Sequence, residues 1–109
     1  GALLVIDYGY TGAEKLRFPD GTLMSYRRHA ASQDVLDSPG ERDITAHVDF
    51  DVLRAVAATC GFREKAFTTL QTLMLSASEG MEEALLLKHR MQWKMLIAGM
   101  GESFHAGLW

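Results

Sequence analysis

The stretch Ala2-Leu3-Leu4-Val5-Ile6-Asp7-Tyr8-Gly9-Tyr10 decides the fold. An apolar run without alternation, stopped by a carboxylate and a glycine, reads as a strand over residues 2–6, buried on both faces, leaving the core at Asp7. Such strands belong to parallel sheets covered by helices on both sides. In open α/β sheets, ligands bind beyond the carboxyl ends of the strands. An interior parallel strand needs more neighbours than this chain supplies, so the first strand should have an open edge. Gly1 accordingly reads as a cut in a longer chain or a tag remnant. The isolated 109 residues are expected to aggregate, self-associate or fold incompletely.

A second polar cluster follows, Asp43-Ile44-Thr45-Ala46-His47-Val48-Asp49-Phe50. Asp49 is suited to cap a helix. Val52, Leu53, Val56, Ala57 and Cys60 then recur at helical spacing, and Gly61 stands where a left-handed C-cap belongs. Between the two clusters, residues 10–43 read as one long loop. Pro19-Asp20-Gly21 and Ser38-Pro39-Gly40 mark turns, because proline presets φ and glycine permits positive φ. Thr22 to Tyr26 is a short extended piece within that loop. Beyond Gly61 the pattern predicts a strand reaching Phe67-Thr68-Thr69 and a helix over Gln71–Ser78. A longer helix is expected over Met81–Ala98, then a closing strand over Ser103–Trp109, where Phe104, Ala106 and Leu108 alternate with His105, Gly107 and Trp109.

Composition narrows the class. Of 109 residues, 48% are apolar and 23% charged, which suits one globular unit rather than a disordered chain. A net charge of −3 gives no basic footprint for nucleic acid and no polybasic contact for a membrane. No apolar run approaches the ~20 residues of a membrane span. One cysteine, Cys60, excludes an intrachain disulfide and suits a reducing compartment; its place on the apolar stripe suggests inert packing. Cys/His spacing of the zinc-binding kind is absent, so no metal is expected.

Three motifs in order carry a family resemblance. These are Leu4-Val5-Ile6-Asp7-Tyr8-Gly9; then Gly21-Thr22-Leu23-Met24-Ser25-Tyr26-Arg27-Arg28-His29; then Pro39-Gly40 followed by Asp43 to Phe50. The chain resembles the C-terminal portion of the MidA-like family of S-adenosylmethionine-dependent methyltransferases. Mitochondrial members of that family help assemble respiratory complex I and act as protein arginine methyltransferases. The resemblance implies an α/β, Rossmann-like, doubly wound sheet. Its fifth strand would be the first strand here, its sixth the Phe67 strand and its seventh, antiparallel, the Phe104 strand. Residues 1–109 would be the C-terminal part of that domain, with the loop at 10–43 and a helical elaboration at 70–100. The Gly-rich turn and ribose-binding acid that hold S-adenosylmethionine would lie upstream. None of Gly9, Gly12 and Gly21 has the spacing or context of such a turn.

Methyl transfer from a sulfonium is a one-step in-line displacement, governed by positioning and electrostatics. A guanidinium acceptor needs carboxylates to grip it and a group to take its proton. The residues expected to do this are Asp7, His47 and Asp49. Tyr8, Tyr26, Arg27, Arg28, His29 and Phe50 are the expected acceptor contacts. Each has a plainer reading. Asp7 would cap its own turn, Asp49 would only cap its helix, His47 would be structurally bonded, and Tyr26 to His29 would be a solvated basic loop. The expected partner is a protein acceptor, with a homo-oligomer as a further option. The expected compartment is the bacterial cytoplasm or the mitochondrial matrix. A competing reading is a non-catalytic interaction module whose loop and terminal helices dock on a respiratory-complex subunit or on its own copy, with Trp93 and Trp109 as an exposed apolar patch for a partner.

Overall fold

The computed structural model describes residues 1–101 and 103–109. Strand β1 runs from Leu4 to Tyr10. The chain then makes a 3-10 turn at Lys15–Arg17 and enters β2 (Met24–Arg27), β3 (Ala30–Ser32) and β4 (Asp43–Thr45). A short β5 (Val48–Asp49) leads into α1 (Phe50–Thr59). Next come β6 (Ala66–Thr69), α2 (Leu70–Ser78), α3 (Glu83–Lys88), α4 (Arg90–Lys94) and β7 (Phe104–Leu108).

The main sheet has the order β5-β1-β7-β6. β7 is antiparallel to both β1 and β6, while β5 is parallel to β1 over two residue pairs, Gly9 with Val48 and Tyr10 with Asp49. This is the mixed α/β sheet with an antiparallel last strand that the family resemblance implied. The first strand is longer than expected. Asp7 sits inside β1 opposite His105, and the strand ends at Tyr10 rather than at Asp7. The reason is alternation: opposed residues share a face, so Asp7, His105 and Thr69 lie on one side and Tyr8 and Phe104 on the other.

Phe50, fully buried, centres the α1 side of the sheet. Its ring lies 5.4 Å from Phe67 and 5.2 Å from His105, and His105 stacks on Phe67 at 5.5 Å. Arg54, one turn along α1, holds Glu64 bidentately at 2.6 and 2.9 Å and covers the Phe67 ring at 4.6 Å. Those hydrogen bonds, donated to Glu64, raise the Arg54 pKa above its ordinary value. Trp109 folds back over Gly107, where any Cβ would collide with the indole. The face of β1 that carries Leu4 and Ile6 is apolar and open: Leu4 is 58% and Ile6 45% exposed.

Three expectations need correcting. Residues 10–43 are not one loop but contain a second antiparallel sheet, ordered β3-β2-β4. It is stitched by the buried Ser25, whose hydroxyl donates toward the carbonyls of Ser32 (3.2 Å) and Asp34 (3.0 Å). The expected helix over Met81–Ala98 is broken at His89 (φ −109°, ψ 19°) and ends in a π-helical stretch, Met95–Met100. That wider turn accompanies a close approach: a Cβ on Gly101 would meet the Ile97 carbonyl and lie 2.7 Å from the Gln71 Cβ. Finally, Cys60 is exposed, as are Val52 and Val56, so the stripe they form is not core. α1 instead packs through Phe50 and Ala57.

Gly9 joins β1 to β5. A Cβ there would strike the Val48 carbonyl and come within 2.6 Å of the Phe50 ring. Gly9→Ala is therefore expected to destabilise the fold by about 1–3 kcal/mol, the usual range for overpacking. Denaturant melts of the two forms check this.

Candidate functional site

Chemistry-bearing side chains collect at the carboxyl end of β1. Because Gly9 lets β5 draw close, His47, the residue before β5, lies against Tyr8. The rings meet edge to face, 4.1 Å apart at 82°. Phe18 approaches His47 from another side at 4.9 Å and 87°, and Tyr10 lies 5.7 Å from Phe18. The His47 backbone N–H donates to the Thr22 hydroxyl at 3.0 Å, which ties the second sheet to the first. Its Nδ1 is buried and has no hydrogen-bond partner among the described residues. Burial lowers the His47 pKa below the ordinary histidine value, so the ring is neutral near pH 7 and able to accept a proton.

His47 divides two hollows. An open cleft of about 580 Å³ is lined by Asp7, Tyr8, Tyr26, Ile44, Thr45 and His47, among others. A tighter one of about 100 Å³ is bordered by Tyr8, Tyr10, Glu14, Arg17, Phe18 and His47. Of the expected site residues, Asp7, His47, Tyr8 and Tyr26 are thus brought together. Asp7 Oδ1 accepts from the Tyr8 backbone N–H at 2.7 Å, within the strand rather than at a turn.

The other candidates are placed elsewhere. Asp49 caps α1, its Oδ1 accepting from the Val52 N–H at 3.2 Å, and its Oδ2 lies 3.7 Å from Lys15 Nζ. Phe50, expected to touch the acceptor, is enclosed at 0% exposure; its ring is core, not substrate contact. Arg27 pairs with Glu41 at 2.7 Å. Arg28 and His29 form the two-residue tip of the β2–β3 hairpin, at φ 48° and 69°.

Two residues missed in the sequence matter here. Glu14 Oε2 accepts from the Thr11 N–H at 2.9 Å and the Thr11 hydroxyl at 3.1 Å, and lies 3.5 Å from Nε2 of the buried His105. Burial acts to raise the Glu14 pKa, but the Thr11 hydrogen bonds and the charges of His105 and Arg17 outweigh it, leaving the pKa below the ordinary value. The Thr11-x-x-Glu14 spacing is that of a capping box and was the available signal. His105 had none, since alternation in a strand does not say what faces it. Among the described residues, no group of three His, Cys, Asp or Glu side chains is placed to hold a metal. No helix there is long and apolar enough to cross a membrane.

Residues 1–68 match the family described as "Putative S-adenosyl-L-methionine-dependent methyltransferase". The chain belongs to that family. The mitochondrial protein arginine methyltransferase NDUFAF7 of Danio rerio is 40% identical over 57 residues, covering 52% of this chain and 12% of the relative. Its Rattus norvegicus counterpart is 42% identical over 57 residues, again 52% and 12%. An uncharacterized protein from Burkholderia thailandensis aligns with a TM-score of 0.79 at 30% identity, over 99% of this chain and 32% of its own. A second protein of that organism and superfamily, solved with S-adenosyl-homocysteine bound, gives 0.77 at 29% identity, over 99% and 31%. The chain therefore spans about an eighth of the curated relatives and a third of the solved structures. These matches bear out the MidA-like resemblance and the methyltransferase fold.

The residues present do not make a complete seat for the family's cofactor. The tight hollow is about 100 Å³, against roughly 300–1,000 Å³ for pockets that enclose ligands of drug or cofactor size. The open cleft has the volume, but its lining holds none of the glycine-rich backbone that cradles such a group.

Two outcomes follow from this geometry. A titration of the His47 ring by NMR should give a midpoint below about 6.5. The folded state then binds fewer protons than the unfolded one, so stability is lost as pH falls from about 6.5 through the depressed folded value. The hairpin tip carries positive φ on two residues other than glycine. Replacing it with the turn-favouring pair, Arg28→Asn with His29→Gly, should raise stability by about 1 kcal/mol, read from the melting midpoint.

Proposed function

We propose that this chain is the acceptor-side, C-terminal portion of a methyltransferase domain that draws its methyl group from S-adenosylmethionine. We further infer that the acceptor is a protein, through an arginine side chain. The first reading is supported by the family match and by the S-adenosyl-homocysteine-bound neighbour. The second is supported by the protein arginine methyltransferases among the relatives. Those relatives are mitochondrial and the solved neighbours bacterial, so both the mitochondrial matrix and the bacterial cytoplasm fit the reading. The remaining strands of the sheet, and the cofactor's glycine-rich turn, are assigned to segments outside these residues, next to the open edge of β1.

The observation that carries the proposal is His47, neutral and with an unpartnered Nδ1, at the meeting of two hollows beyond the carboxyl end of a central strand. The cofactor supplies an electrophilic methyl; the chain's own residues handle the acceptor. Asp7 offers the free oxygen of its carboxylate to a cationic side chain entering the open cleft. Tyr8 and Tyr26 wall that cleft and limit its orientation. His47 takes the proton that an alkylated nitrogen sheds. Asp49 supports His47 indirectly, by fixing the start of α1. Arg27, Arg28 and His29 sit on the rim hairpin, where they meet the acceptor protein rather than its reacting side chain.

The test is methyl transfer by the full-length protein to arginine-containing peptides. His47→Gln should lower kcat by about 10²-fold or more, the range for a lost general base, with the melting midpoint little changed. Asp49→Ala should instead cost stability, about 1 kcal/mol, with a smaller effect on rate. An unaltered rate in His47→Gln removes the residue from the chemistry.

A second reading, association through the C-terminal helices, is favoured by one observation. Leu87, Met91 and Met95, from α3, α4 and the π-helical stretch in turn, are all exposed, at 62–70%. Exposed apolar side chains of this kind suit an interface with another copy or a partner protein.

A further inference from the structure

The tight hollow has a composition that nothing above explains. Four rings border it and touch in sequence: Tyr8 on His47, His47 on Phe18, Phe18 on Tyr10. One carboxylate, Glu14, completes the wall. Its volume of about 100 Å³ holds about three waters, or one compact planar group, and no nucleoside. Ring faces and a carboxylate both attract cations, and enclosure strengthens both attractions.

The two Glu14 oxygens are unlike. Oε2 is occupied by the Thr11 amide and hydroxyl and lies beside His105. Among the described residues, Oε1 has one cationic neighbour, Arg17 Nη1, at 3.9 Å. The Arg17 side chain is 76% exposed, so this pair is of the weak surface kind and is readily displaced. The chain's own guanidinium thus stands at the mouth of the hollow, facing the one oxygen left over.

We propose that the hollow bounded by Tyr8, Tyr10, Phe18, His47 and Glu14 is a binding subsite for a guanidinium, with Glu14 its anionic anchor and Arg17 a displaceable occupant. This rests on the acceptor reading above and adds to it a residue and a seat. Thr11 and His105 hold Glu14 in place, so the carboxylate is preorganised and an incoming guanidinium does not have to order it. Planarity favours guanidinium over ammonium, because a flat group can lie along a ring face while its edge meets the oxygen. His47 belongs to this wall as well as to the open cleft, so a guanidinium seated here has one nitrogen beside the proposed base.

The experiment is calorimetric binding of N-acetyl-arginine-methylamide to the full-length protein saturated with S-adenosyl-homocysteine. Matched citrulline and lysine compounds are the neutral and ammonium controls. The arginine compound should bind at least tenfold tighter than either. Glu14→Gln should remove that preference while leaving the S-adenosyl-homocysteine affinity unchanged. Arg17→Ala should strengthen arginine binding several-fold, a gain that a purely structural role for Glu14 does not produce. Equal binding of arginine and citrulline, an equal or greater affinity for lysine, or weaker arginine binding in Arg17→Ala overturns the subsite. If Glu14→Gln fails to fold, the wild-type compound series and Arg17→Ala still decide. Absence of S-adenosyl-homocysteine binding by the wild type sinks the methyltransferase reading itself; its presence without arginine preference sinks only the subsite.

Discussion

The approach of β5 to Gly9 holds the site together. A side chain at residue 9 would occupy the space of the Val48 carbonyl and the Phe50 ring, so only glycine lets the second polar cluster lie beside the end of β1. From that contact three things follow. His47 is delivered to Tyr8, Asp49 is placed to start α1, and Phe50 is pressed into the aromatic centre formed with Phe67 and His105. The two short motifs that look separate in the sequence are one packed unit.

The segment after β1 is anchored by charge as well as by the packing of Phe18 on Tyr10 and His47. The Gly12 N–H donates to Asp51 Oδ2 at 2.6 Å, Lys15 reaches Asp49, and Glu14 bridges Thr11 and His105. Each tie involves a group near the start of α1 or on the closing strand. The wall of the tight hollow therefore depends on both ends of the described chain. Exposed ion pairs contribute little individually, typically about 0–1 kcal/mol. The partly buried carboxylate of Glu14, with two hydrogen bonds from one residue, is the firmer link.

What could be read in advance followed from local signals. The apolar run of β1, the Asp49 cap and the left-handed Gly61 (φ 84°) each carry their cause within a few residues. The second sheet did not, because β2 finds its partner β4 across Pro39-Gly40, and only Thr22 to Tyr26 hinted at an extended chain. The break at His89 lacks any proline or glycine to announce it. Asp7 was placed at a strand exit because a carboxylate normally ends a buried run; here it stays in register opposite His105. Glu14 and His105 meet through topology, at a separation no local pattern spans. Phe50 was assigned to the acceptor by its position in a motif, and burial decided otherwise.

The order of strands has a consequence for how the chain is made. β1 and β6 do not touch; β7 lies between them and hydrogen-bonds to both. Leu4 waits for Leu108, so β1 gains its antiparallel partner only when β7 has emerged. Closing so long a stretch costs entropy before any ladder bond forms, and such pairings are slow. During synthesis the β7-facing edge of β1 therefore stays without its ladder until β7 emerges, an interval in which an exposed strand edge invites misassembly.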